Sequence, residues 1–154
     1  MIDIQELTQF LNAANKATYA NRDAPKTASL RPVSEDYHFE QGDLVYHDTY
    51  FGARDFIGEE IVYKSGKPVW GMNYYGHGLN PDVSTKDMYA ILRPALMQEY
   101  TDILPVRGPS EYIEGNSRYV NHVEGTLDRF SGEENIYLSG EMVYRCWYHG
   151  GMIQ

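Results

Sequence analysis

The sequence predicts an α+β fold in which a unit of one helix and three antiparallel strands occurs twice, the copies related by a pseudo-two-fold axis. Three observations predict it: an internal match at a constant offset, a helical periodicity ahead of each matching stretch, and a length suited to one domain. FIGEEIVYKSGKPVWGMNYYGHG at 56–78 lies over FSGEENIYLSGEMVYRCWYHGGM at 130–152 with an offset of 74, and ten of the 23 positions are identical without a gap. The 154 residues then divide into repeats of about 1–80 and 84–154 within a single domain. One continuous barrel-like sheet with helices at its ends is the alternative.

The first helix rests on Ile4, Leu7, Leu11 and Ala14, which recur at spacings of three and four, with Asp3 as the cap. It ends before Asn21, because the following stretch is turn-rich and contains Pro25 and Pro32. Strands are predicted over 43–50, 56–63 and 68–75, the last two joined through Ser65 and Gly66. A second helix is predicted over 85–97. Ser84 and Asp87 begin it, Met88, Ile91, Leu92, Ala95 and Leu96 form its apolar stripe, and Pro94 should bend or split it. Strands resume after the loop PVRGPSEY.

Composition narrows the function classes. Lys plus Arg number 13 against 22 Asp plus Glu, a net charge of −9, which argues against direct nucleic-acid binding and against attraction to an anionic membrane. Cys146 is the single cysteine, so no intrachain disulfide forms and no cysteine-rich zinc cluster is available. The N-terminus carries neither a basic leader nor an apolar stretch, and no segment approaches the roughly 20 apolar residues of a membrane span. A cytoplasmic location is the expectation. The 14 tyrosines suit either a half-wet sheet face or the wall of a binding cleft.

With Ser65 and Gly66 as a two-residue loop, Lys64 pairs with Lys67, Val62 with Val69, and Glu60 with Gly71. One face then carries Ile57, Glu59, Ile61, Tyr63, Trp70, Met72 and Tyr74, and reads as the packed one. The other carries Glu60, Asn73, Tyr75 and His77 in the first half, and Glu134, Arg145, Trp147 and His149 in the second. The halves agree on the packed face and diverge on the other, as expected if one face is specialised for a ligand or drifts freely in solvent. These eight residues are the candidate ligand-binding set: aromatic walls from Tyr75 and Trp147, polar groups from Glu60, Asn73, Glu134 and His149. The register also sets Arg145 opposite Glu134 as an ordinary ion pair.

Glu60 and Glu134 are also predicted to approach across the symmetry axis, where two carboxylates share a proton, bind a cation or divide acid and base roles. The histidines match no metal motif, and no nucleophile elbow, phosphate loop or dinucleotide fingerprint is present. No cofactor or metal is therefore expected. An acidic aromatic cleft between the repeats favours a small organic cation. The competing readings are a protein-interaction or regulatory module, including a homo-oligomer, and an enzyme using Glu60, Glu134 and His149 in acid-base or metal-assisted chemistry.

The stretch GDLVYHDTYFGARDFIGEEIVYKSGKPVWGMNYYG, with the later FSGEENIYLSGEMVYRCWYHGG, looks like a bacterial family catalogued only as a domain of unknown function, some members of which are fused to helix-turn-helix segments. The resemblance runs from the FLNAANKATYA helix to the terminal YHGGMI. It implies no activity to carry over. Since the family pattern starts at residue 1, with no helix-turn-helix ahead of it, direct promoter recognition is not expected.

Overall fold

The structure is a computed structural model that describes residues 2–154. Helix α1 spans Ile4–Ala17, with the Asp3 carboxylate accepting from the backbone N–H groups of Gln5 and Glu6. Four strands follow, β1 (Glu35–Gln41), β2 (Leu44–Gly52), β3 (Phe56–Lys64) and β4 (Lys67–Gly78). Helix α2 (Thr85–Leu96) leads to β5 (Glu111–Glu114), β6 (Ser117–Thr126), β7 (Arg129–Leu138) and β8 (Glu141–Met152). Ser84 caps α2 through the Asp87 N–H, and the helix runs unbroken through Pro94. Only two residues follow Pro94 inside the helix, so the break it was expected to cause falls at the natural end of the element.

All eight strands form one antiparallel sheet in the order β1-β2-β3-β4-β8-β7-β6-β5. This corrects the predicted architecture. Among the described residues the protein is one continuous sheet with two helices, and the expected pair of packed α+β units, each of one helix and three strands, is absent. Four strands follow each helix where three were expected; β1 and β5 are the additional ones, EDYHFEQ being too polar and EYIE too short to show a convincing alternation. The β4 edge that would have bounded a separate unit instead pairs with β8 from Trp70↔Met152 to Gly78↔Tyr144.

Both helices lie on the same face of the sheet. Leu7, Phe10, Leu11 and Ala14 of α1 and Met88, Leu92 and Ala95 of α2 join Tyr46, Val62, Trp70, Met72, Tyr119, Ile136, Tyr144 and Tyr148 in one core. The opposite face has no covering layer among the described residues. Ile57, Tyr75 and Trp147 lie on it and are 55%, 44% and 44% exposed.

Candidate functional site

The placement of the candidate residues turns on one extra residue in each half. In the β3–β4 hairpin Lys64 pairs with Lys67 as expected, but Tyr63 pairs with Pro68 and Val62 with Trp70, leaving Val69 as a bulge. The β7–β8 hairpin repeats this, with Tyr137 opposite Met142, Ile136 opposite Tyr144, and Val143 left over. Each bulge carbonyl is used elsewhere: Val69 accepts from the Ile153 N–H and Val143 from the Leu79 N–H, both at 2.9 Å. A one-residue shift exchanges the faces of one strand relative to its neighbour. Glu60 therefore pairs with Met72 and Glu134 with Cys146, and both glutamates point into the core.

The candidate set is thus divided between two faces. Asn73, Tyr75, Trp147 and His149 remain on the uncovered face with His77 and Arg145, while Glu60 and Glu134 lie beneath the helices. Glu60 does not share a cleft with Tyr75 and Trp147, and His149 does not converge with the two glutamates. The Glu134–Arg145 pair is also replaced. Arg145 lies opposite Asn135, donates to its Oδ1 at 3.1 Å, and meets Glu133 at 3.2 Å.

Beneath the helices, Glu134 is fully enclosed and accepts three bonds, from Arg107 Nη2 at 2.5 Å, Tyr119 at 2.7 Å and Tyr144 at 2.9 Å. Three donors, one of them charged, meet the hydrogen-bonding needs of a carboxyl group that no solvent reaches. The Arg107 guanidinium lies 5.4 Å from the Tyr74 ring centre, and Tyr74 donates to Asp48 at 2.6 Å. Burial raises the Glu60 carboxyl from 4.5 to about 7, with the Arg107 charge opposing the rise. Burial also drives Asp48 well above the usual carboxylate range, reinforced by the Glu60 charge. Arg107 was not singled out in the sequence. Its loop has no periodicity, and the only hint was an arginine in an otherwise apolar and glycine-containing PVRGP.

The uncovered face is ordered by cross-strand rows. One row runs His122, Glu133, Trp147, Tyr75, Ile57 across β6, β7, β8, β4 and β3; the next runs Glu124, Ser131, His149, Asn73, Glu59. All of these but Glu59 line a groove of about 580 Å³ that runs across β8. The Trp147 indole N–H donates to Glu133 at 2.9 Å, and His77 stacks on the indole at 5.5 Å between ring centres. Tyr75 stacks on His77 at 5.9 Å, and the Arg145 guanidinium lies 5.6 Å from the Trp147 ring centre. Glu133, Glu124 and Ser131 enter this site without having been picked from the sequence. Glu133 is the first glutamate of the second Gly-Glu-Glu, and only the bulge reveals that the first of each pair, not the second, shares a face with Trp147.

Among the described residues no group of three or more His, Cys, Asp or Glu side chains is arranged to hold a metal ion. No helix there is long and apolar enough to cross a membrane. Residues 48–153 match the family model described as Domain of unknown function (DUF5680), and the chain belongs to that family. No curated protein and no solved structure gives a significant match.

Proposed function

Proceeding from membership of a family with no assigned activity, we propose that the protein binds a small organic ligand carrying a cationic group in the groove of its uncovered face. The observation that carries this reading is the cross-strand pair Tyr75 and Trp147, each 44% exposed, beside the Glu133 carboxylate in a groove of about 580 Å³. That volume suits a small-molecule site, and half-exposed aromatic rings next to carboxylates attract organic cations. Arg145 illustrates the chemistry from within the chain, since its guanidinium reaches both Trp147 and Glu133. Glu124, with a side chain 78% exposed, leaves a second carboxylate on the groove wall facing solvent.

Trp147 makes the test direct. The other tryptophan, Trp70, is completely buried and donates its indole N–H to the Leu127 carbonyl at 3.1 Å. A saturable change in tryptophan emission, excited selectively over tyrosine, therefore reports on Trp147. Benzyltrimethylammonium should produce one, its neutral isostere neopentylbenzene should not, and Trp147→Ala should abolish the response while the fold persists. Equal responses to both probes would remove the cationic specificity, and no saturable response to either would overturn the assignment. A broad increase in molecular weight on addition of a protein extract, without any small-molecule response, would favour a protein-docking face instead.

A further inference from the structure

Between the helices and the covered face of the sheet lies a cavity of about 20 Å³, lined by Asn15, Tyr19, Tyr46, Glu60, Leu96 and Arg107. This is enough for one water molecule and for nothing larger. The Tyr46 hydroxyl, which lies beside the Glu60 carboxyl and opposes its rise, and the Arg107 Nε are buried without a well-formed hydrogen bond. Arg107 uses Nη2 for Glu134, and its backbone carbonyl accepts from Tyr100 at 2.8 Å. The Gly108 N–H beside it donates to the Tyr119 hydroxyl at 3.1 Å. The adjoining hollow behind Tyr19, lined by Tyr50, Phe56, Tyr74 and Tyr89, has no room for a water centre.

We infer that this cavity is a binding site for a single buried water molecule, which accepts from Arg107 Nε and bridges it to the Glu60 carboxyl and the Tyr46 hydroxyl. Leaving the two atoms bare would incur the desolvation cost of each with nothing in return, whereas a water with three polar partners satisfies both. The guanidinium is then clamped by two carboxylates that stand 74 positions apart in the sequence, Glu134 directly and Glu60 through the water. A ligand cation is excluded from this site because the chain's own guanidinium already fills the place between the acids, and an anion would face Glu60. The clamp also fixes Arg107 in its left-handed conformation, φ 67°, and so holds the loop joining α2 to β5 against the sheet.

The test is an atomic-resolution crystal structure of the wild-type chain, joined to detection of magnetisation transfer from water to the Arg107 Nε proton in solution. One ordered water within roughly 2.7–3.2 Å of Arg107 Nε and of Tyr46 or Glu60 is expected. An empty cavity, or direct bonding of Tyr46 and Arg107 to other protein groups, would overturn the inference. Tyr46→Phe removes one partner at almost constant volume, and should shorten the residence time of the bound water about fivefold to tenfold. An unchanged residence time would overturn the role given to Tyr46.

Discussion

Tyr74 and Tyr148 are direct cross-strand partners at the centre of the sheet, and each lays its ring over a glycine of the neighbouring strand. Tyr74 covers Gly58 and donates to Asp48 at 2.6 Å; Tyr148 covers Gly132 and donates to Asn121 at 2.6 Å. A Cβ at Gly132 would lie 2.3 Å from the Tyr148 ring, and one at Gly58 would lie 2.4 Å from the Tyr74 hydroxyl. Neither ring can swing aside without losing its buried bond. Gly58→Ala and Gly132→Ala should each destabilise the protein by about 1–3 kcal/mol, read from urea denaturation midpoints. Values within about 0.5 kcal/mol of wild type would show that the rings are not pinned.

Arg107 occupies an equally constrained place. Removing it strands Glu134, which is fully buried and keeps only the two tyrosine hydroxyls as donors. Arg107→Met should therefore cost about 3–5 kcal/mol, because an uncompensated charge is left in the core. The double variant Arg107→Met with Glu134→Gln should recover part of that loss, since the stranded charge is gone. Equilibrium unfolding of the three proteins measures it, and a double variant no more stable than the single one would contradict a charge-based origin.

The internal sequence match had already marked many of the residues that pack the sheet. Phe56 and Phe130, Gly58 and Gly132, Tyr74 and Tyr148, and Gly76 and Gly150 all belong to it, and the structure brings them into mutual contact: a Cβ at Gly76 or Gly150 would meet the Phe56 or Phe130 ring. Helix limits and the Ser65–Gly66 turn were legible for similarly local reasons, a cap and a pair of left-handed residues. The site was legible only in part. Tyr75, Trp147, Asn73 and His149 share a face as the alternation suggested, but the member of each Gly-Glu-Glu on that face is the first, Glu59 and Glu133, while Glu60 and Glu134 lie on the other. Val69 and Val143 look like ordinary strand residues, so nothing local announces that they are bulges, and a single unpaired residue reverses the neighbouring strand's faces.

Stability should fall with rising pH across the Glu60 titration. Its carboxyl takes up a proton at about 7 in the folded chain against 4.5 when unfolded, so between these values the native state binds more protons than the unfolded one. Unfolding free energy then decreases as pH rises through that window, by up to about 3 kcal/mol, and the contribution is gone above it. Asp48, raised in the same direction, adds to the slope. Asp36 acts oppositely at lower pH. Hydrogen bonds from Ser34 and Thr49 outweigh its desolvation and lower its pKa, so its contribution is lost as the solution becomes strongly acidic. Urea midpoints measured from pH 4.5 to 8 in wild type and Glu60→Gln check this. The variant should lose the part of the slope that Glu60 supplies and keep the part from Asp48, and a wild-type midpoint that rises across the window would contradict the assignment.

Cys146 offers a way to watch the central seam open. It lies on β8 between Gly76 of β4 and Glu134 of β7, is fully buried, and has its thiol pushed up to about 12 by burial, with the Glu134 charge adding to the rise. At neutral pH the native thiolate fraction is then more than about a thousandfold below that of a free cysteine, so iodoacetamide should label the folded protein only through opening. Because β8 is paired on both sides and its inner face is covered, exposing Cys146 requires most of the sheet to separate. Labelling rates should consequently rise with urea along the slope of global unfolding. Fast labelling without denaturant, insensitive to Gly132→Ala, would instead place a local opening at the β4–β8 seam, directly behind Tyr75 and Trp147.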